Sequence, residues 1–180
     1  MKLLPLGILA LLSLVACGSP QAPPARPEGA PPAAVASPRG QGPPLGPLTM
    51  QTPSGGTVEL RPGGAPLTLV EVWSPTWFEG ADEQFQRLEE IHERWGNRGV
   101  RVLAVAYDVA TDQVRDAVKR HGALFDVGLG NPETYERLDV QALPTTWLVD
   151  REGRVLERLE GYQPLDALEK HLERLLAPEP

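Results

Sequence analysis

From Thr57 onward the chain alternates between short apolar runs and amphipathic stretches. Thr57 to Leu60 has the alternation of a short strand, and Pro66 introduces Leu67 to Trp73, an almost continuous apolar run of the length of a buried strand. Phe85, Leu88, Ile91 and Trp95 recur at spacings of three and four, which predicts a helix from Gly80 to about Arg98 with Gly99 as its stop. Val100 to Tyr107 reads as a second buried strand. Thr111 is the expected cap of a helix that turns Val114, Ala117 and Val118 inward and ends at Gly122.

Asn131-Pro132 has the chemistry of a cap followed by a first helical turn, predicting a short helix to about Leu138. Thr145 to Val149 and Arg154 to Leu159 are predicted strands joined across Asp150-Arg151-Glu152-Gly153, a hairpin signal. Gln163-Pro164 opens the last helix, with Leu165, Leu168, Leu172, Leu175 and Leu176 on one face. The order β-β-α-β-α-α-β-β-α predicts an α/β domain with a central mixed sheet covered by helices on both faces. No internal repeat is visible.

The N-terminal part of the chain is different in kind. All ten aromatic residues fall between Trp73 and Tyr162, so the core is expected C-terminally, over residues 49–177. Gly18 to Leu48 holds ten of the twenty prolines and only three charges, Arg26, Glu28 and Arg39. Such a stretch buries too little apolar surface to offset its ordering entropy, and residues 17–48 are expected to form a disordered, partly polyproline tether. Fully extended at about 3.1 Å per residue, it would reach roughly 95 Å.

Met1-Lys2 followed by the apolar run Leu3 to Ala16 is the layout of an export signal over residues 1–16. The run is too short to span a bilayer stably, which takes about 20 apolar residues. Leu14-Val15-Ala16-Cys17 resembles the lipobox of bacterial lipoproteins, which implies cleavage before Cys17 and lipidation of its thiol. The expectation is an exported protein anchored to a membrane through Cys17 and facing the periplasm or cell exterior. From Thr49 on, 14 Lys and Arg stand against 23 Asp and Glu, a poor match for nucleic acid, and none is expected as a partner.

Cys17 is the single cysteine of these 180 residues, so once it is lipidated no free thiol and no disulfide remain. His92, His121 and His171 lie far apart and have no zinc-like spacing, so neither metal nor other cofactor is expected. Ser74 and Thr76 have no histidine or lysine nearby in sequence to act as their base and are assigned to a turn.

Three stretches carry a resemblance to a known family. Leu69-Val70-Glu71-Val72-Trp73-Ser74-Pro75-Thr76-Trp77-Phe78-Glu79-Gly80 is the first, and Leu143-Pro144-Thr145-Thr146-Trp147-Leu148-Val149-Asp150-Arg151-Glu152-Gly153-Arg154 is the second. The third is the pair of strands Leu67 to Trp73 and Val100 to Tyr107 around the long helix. Together they resemble the thioredoxin superfamily, most of all its membrane-tethered TlpA/ResA reductase branch, over roughly Leu48 to Ala177. The resemblance implies a thioredoxin-like fold, a cis bond at Leu143-Pro144 and a Trp-x-x-x-Cys-x-x-Cys motif whose cysteine positions fall on Trp77 and Gly80. Neither is a thiol.

Family members exchange disulfides through a cysteine of lowered pKa at a helix N-terminus and a second cysteine one turn on. This chain has neither, so no catalytic residue is assigned. What the resemblance leaves is a binding surface: Leu143, Pro144 and Thr145 would offer backbone hydrogen bonds to an extended segment of an unidentified peptide or protein. Trp77 and Phe78 would either anchor such a segment or fill the space of the lost site.

Glu71 falls where thioredoxins carry a buried acid. Left unpaired, it would have a pKa above about 4.3, and stability would decline as pH rises through its folded value. Alternatively it pairs with a nearby base or reaches solvent beside Gly80. The preferred reading is a redox-inactive thioredoxin-like lipoprotein that binds a peptide or protein as a holder or assembly factor. A thiol–disulfide oxidoreductase and a structural spacer are the rivals.

Overall fold

The structure, a computed structural model, describes residues 44–76, 80–107 and 109–177. Cys17, the signal, most of the tether, Trp77 and Phe78 lie outside these residues.

The two apolar runs become the centre of the sheet. β3 (Leu67–Trp73) and β4 (Val100–Ala106) pair in parallel from Leu67–Val100 to Trp73–Ala106. β6 (Thr145–Asp150) lies antiparallel on the other side of β3, with β7 (Val155–Glu160) antiparallel outside it. Two strands that the sequence reading missed complete the seven: β1 (Leu48–Gln51), paired with β2 (Thr57–Leu60), and β5 (Asp126–Leu129), parallel to β4. The order across the sheet is β2-β1-β5-β4-β3-β6-β7. β1 begins at Leu48, inside the stretch expected to be tether, and Leu45 N–H donates to the Gly153 carbonyl at 2.9 Å.

Four helices cover the sheet. α1 (Ala81–Trp95), α2 (Thr111–His121) and α4 (Leu165–Leu176) bury Phe85, Leu88, Ile91, Val114, Leu168 and Leu172 on one face. α3 (Pro132–Arg137) and the β1–β2 pair close the other face around Leu138, Trp147 and Met50. α1 gives way to a short 3₁₀ turn over Gly96–Arg98, and Gly99 takes the left-handed conformation with φ 92° that ends it. Asn131 caps α3 as expected, accepting the Thr134 N–H at 2.9 Å with Pro132 in the first turn. Thr111 does not cap α2. The helix starts at Thr111, and the capping position belongs to Ala110, whose methyl cannot accept a hydrogen bond.

Candidate functional site

Strand parity decides what lies under the site. In β3 the odd positions Leu67, Leu69 and Trp73 face the α1 side and the even positions Val70 and Val72 face the α3 side. Glu71 is odd, so its carboxylate is driven into the interface with α1, and its residue is fully buried. On α1, Gln84 and Arg87 stand on the buried stripe with Phe85, Leu88 and Ile91. They meet Glu71 there.

Arg87 Nη2 donates to Glu71 Oε1 at 2.5 Å and to Oε2 at 2.8 Å. Gln84 Nε2 donates to Oε1, and the Thr146 hydroxyl donates to Oε2 at 2.7 Å. The second guanidinium nitrogen of Arg87 donates to the Gln163 carbonyl, while the guanidinium carbon lies 4.7 Å from the centre of the Tyr162 ring. Glu71 is therefore buried but not unpaired: of the two alternatives the sequence left open, the pairing with a nearby base is the one found. The base it meets is Arg87, a little over two turns before Trp95 on the same buried stripe of α1.

Leu143-Pro144 is a cis peptide bond, as the motif predicted. Val72 pairs with Thr145, so Pro144 stands beside the end of β3, where Trp73 and Ser74 lead off towards α1. The Gly161 N–H donates to the Pro144 carbonyl at 2.8 Å, closing the loop after β7 onto the cis-proline turn. Leu143 is half-buried against the α3-side core. Thr145 is fully buried and its hydroxyl donates to the Ala142 carbonyl at 2.7 Å, so its side chain faces inward, away from any partner.

Gly80 occupies the capping position of α1 with φ −92°, and no side chain caps this end. Asp82, in the first turn, is hydrogen-bonded to His121 Nε2 at 2.8 Å and lies 3.3 Å from Arg120. The His121 contact holds the Asp82 carboxyl below its usual range, helped by the nearby Arg120 charge. The same imidazole lies 5.1 Å from the Phe85 ring, which in turn meets Trp73 edge-on at 4.9 Å. Asp139, which precedes the cis-proline loop with φ 49°, is also held low, first by a hydrogen bond from Gln141 and then by Arg158.

Ser74 is buried and within 3.2 Å of the Thr76 hydroxyl, and the Thr76 N–H donates to the Ser74 Oγ at 3.4 Å, which is turn chemistry. His121 is engaged with Asp82 and His171 with Glu157 at 2.6 Å. Neither serves as a base to these hydroxyls. Among the described residues no group of three or more His, Cys, Asp or Glu could hold a metal, and no helix is long and apolar enough to cross a membrane. An open cleft of about 600 Å³ beside Asn97, Val100 and Leu124 lies at the opposite end of the sheet and adjoins none of the site residues.

Residues from just after β3 to the end of α4 match a family model. One described as Thioredoxin-like domain matches residues 75–176, more than half of the chain. The chain belongs to the thioredoxin-like domain family. Thiol-disulfide oxidoreductase ResA of Bacillus thuringiensis subsp. konkukian (strain 97-27) is 25% identical over 122 residues, covering 67% of this chain and 70% of that protein. The ResA protein of Bacillus subtilis (strain 168) is 25% identical over 115 residues, covering 63% and 64%.

Solved structures agree on the fold of this thioredoxin-like domain. A DsbF homologue from Corynebacterium diphtheriae has a TM-score of 0.69 at 19% identity, over 83% of this chain and 96% of that one. A thiol:disulfide interchange protein of the thioredoxin family from Chlorobium tepidum TLS has a TM-score of 0.67 at 16% identity, over 78% and 100%. The relatives are named for thiol–disulfide chemistry, whereas residues 75–176 of this thioredoxin-like domain contain no cysteine.

Sequence reasoning missed Gln84, Arg87 and Tyr162. The signal was available for two of them: an acid on the α1-facing parity of a buried strand, opposite two polar residues on a helix's inward stripe, is a pair waiting to be matched.

Proposed function

We propose that this thioredoxin-like domain performs no thiol–disulfide exchange and instead holds an extended segment of a peptide or protein along its cis-proline edge, outside the cytoplasmic membrane. One observation carries the reading: the cis Leu143-Pro144 turn is kept and braced from two sides, by Gly161 and through Thr146, while the region of family likeness holds no cysteine. Exchange requires a thiolate to attack and a second thiol to resolve. Backbone strand addition requires neither.

The same reading places the protein on the outer side of a membrane, lipidated at Cys17. Its support is the apolar run Leu3 to Ala16 ending in Leu-Val-Ala-Cys. A secreted Mycobacterium tuberculosis disulfide oxidoreductase shares the fold, with a TM-score of 0.61 at 15% identity. Trp77 and Phe78, which lie outside the described residues, enter this reading from the sequence alone, as its apolar anchors.

Two experiments test it. Titrating the processed protein with a thiol reagent should find no reactive thiol, and one reactive thiol per chain in the membrane-bound form would contradict lipidation of Cys17. Replacing Trp77 and Phe78 with alanine should abolish partner capture in crosslinked cells; capture at the wild-type level would remove the two aromatics as anchors, and no capture by the wild type would favour a spacer.

A further inference from the structure

Glu71 and Arg87 sit fully out of water directly beneath the cis-proline edge, with side chains 0% and 3% exposed. Burying such a pair costs several kcal/mol per ion, and well-packed apolar residues of similar volume are often at least as stabilising, as the general experience with buried pairs has it. Stability alone is thus a weak reason for it. What an apolar pair lacks is direction, since a guanidinium presents its donors in a rigid planar fork and a carboxylate accepts along defined lobes.

That direction is spent on two loops. Thr146, bonded to Glu71 Oε2 at 2.7 Å, is two residues beyond Pro144 in β6. Gln163, whose carbonyl receives the second Arg87 nitrogen, is two residues beyond Gly161, and Gly161 is the residue that bonds the Pro144 carbonyl. Tyr162, between them, lies over the guanidinium and is 37% exposed. The cis-proline turn and the Gly161–Gln163 turn are therefore joined to one another and each is tied separately to the same ion pair. Through Gln84 and Arg87 the pair is in turn fixed to α1.

We propose that Glu71 and Arg87 are positioning residues of the binding edge, which set the cis-proline turn and Tyr162 in one rigid arrangement ready to receive an extended segment. The proposal rests on the peptide-binding reading for its purpose, but its structural content is separate. A pre-set edge loses less freedom on binding than a mobile one, which is the advantage of such a brace.

The test is native-state hydrogen exchange on the whole chain carrying Glu71→Leu together with Arg87→Met, a substitution that removes both charges at once. Exchange at the Gly161 amide should rise at least tenfold while amides of Val102 to Val105 in β4 keep their relative protection. Gly161 exchange within twofold of wild type, or a rise matched by β4, would overturn the brace. Should the double variant not fold, Thr146→Val cuts one tie without leaving a charge exposed. It should raise exchange at Gly161 at least threefold, and unchanged exchange there overturns the proposal equally. A photocrosslinker at Leu143 provides the second arm: adduct yield in cells should fall at least fivefold in the folded double variant, and an undiminished yield counts against positioning. If the wild-type edge captures nothing, the binding reading fails, while the exchange pattern still decides whether the pair positions the loops.

Discussion

Arg87 Nη2 contacts both oxygens of Glu71, at 2.5 and 2.8 Å, in a pocket closed to water. Removing one member of such a pair strands the other's charge in the interior, at a cost of about 3–5 kcal/mol. Glu71→Gln and Arg87→Met should each lower stability by about that amount at pH 7 in urea unfolding. A Glu71→Gln protein more stable than wild type would mean that the carboxylate is unpaired after all.

Gly130 lies where a side chain has no room. A Cβ added there would come within 2.2 Å of the Tyr135 ring and 2.8 Å of the Ala106 carbonyl oxygen. The ring is held in a tilted contact with Tyr107, centroids 4.4 Å apart, and the carbonyl belongs to β4 and already receives the Gly130 N–H and the Tyr135 hydroxyl. Gly130→Ala should therefore destabilise by about 1–3 kcal/mol, the usual cost of overpacking, with thermal unfolding as the check. The residue sits on the connection between β5 and α3, outside the ion-pair network, so the two effects should add.

The Asp82–His121 contact gives a dependence on acid. Asp82 has a folded pKa below its unfolded one, chiefly because of the His121 hydrogen bond. The native state thus favours the ionised form, and the contribution is fully present above the unfolded value of about 3.9 and lost as pH falls through the folded value. His121→Phe, which keeps an aromatic ring against Phe85, should flatten the acid limb of stability. The measurement is urea unfolding across the acid range. An acid limb as steep as wild type would show that the pair contributes nothing.

Cys17 carries the claim of anchorage. Cys17→Ser should block lipidation and processing and move the mature domain out of the membrane fraction, as mass spectrometry of fractionated cells would show. A normally processed, membrane-bound Cys17→Ser protein would refute the anchor.

Much of this fold was legible because its strongest signals are long. The apolar runs of β3 and β4 have seven residues each, and the stripe on α1 runs through Phe85, Leu88, Ile91 and Trp95. β1 and β5 have four residues each and little periodicity to detect. β1 also follows directly on a proline-rich stretch, and β5 contains Gly128, which reads as a break. Its reason is tertiary, since a Cβ at Gly128 would lie 3.0 Å from the Met50 sulfur and 3.1 Å from Val58.

In the site, the cis-proline turn was legible as a motif and the loss of the cysteines as a count. The ion pair was not read, because it joins residues 16 positions apart through the parity of one strand and the phase of one helix. Tyr162 was missed for a similar reason. Its place beside Pro144 is set by the Gly161 hydrogen bond and by Arg87, neither of which leaves a local trace in the chain.

The central claim is that the domain binds along its cis-proline edge without thiol chemistry, and site-specific photocrosslinking in cells addresses both halves at once. A crosslinker at Leu143 and another at Arg151, in the hairpin at the opposite end of β6, are compared before and after treatment with a reductant. The account predicts a discrete adduct from Leu143, none from Arg151, and no loss of the adduct on reduction. An adduct from Arg151 alone, or a partner released from the uncrosslinked protein by reductant as a mixed disulfide, would contradict it.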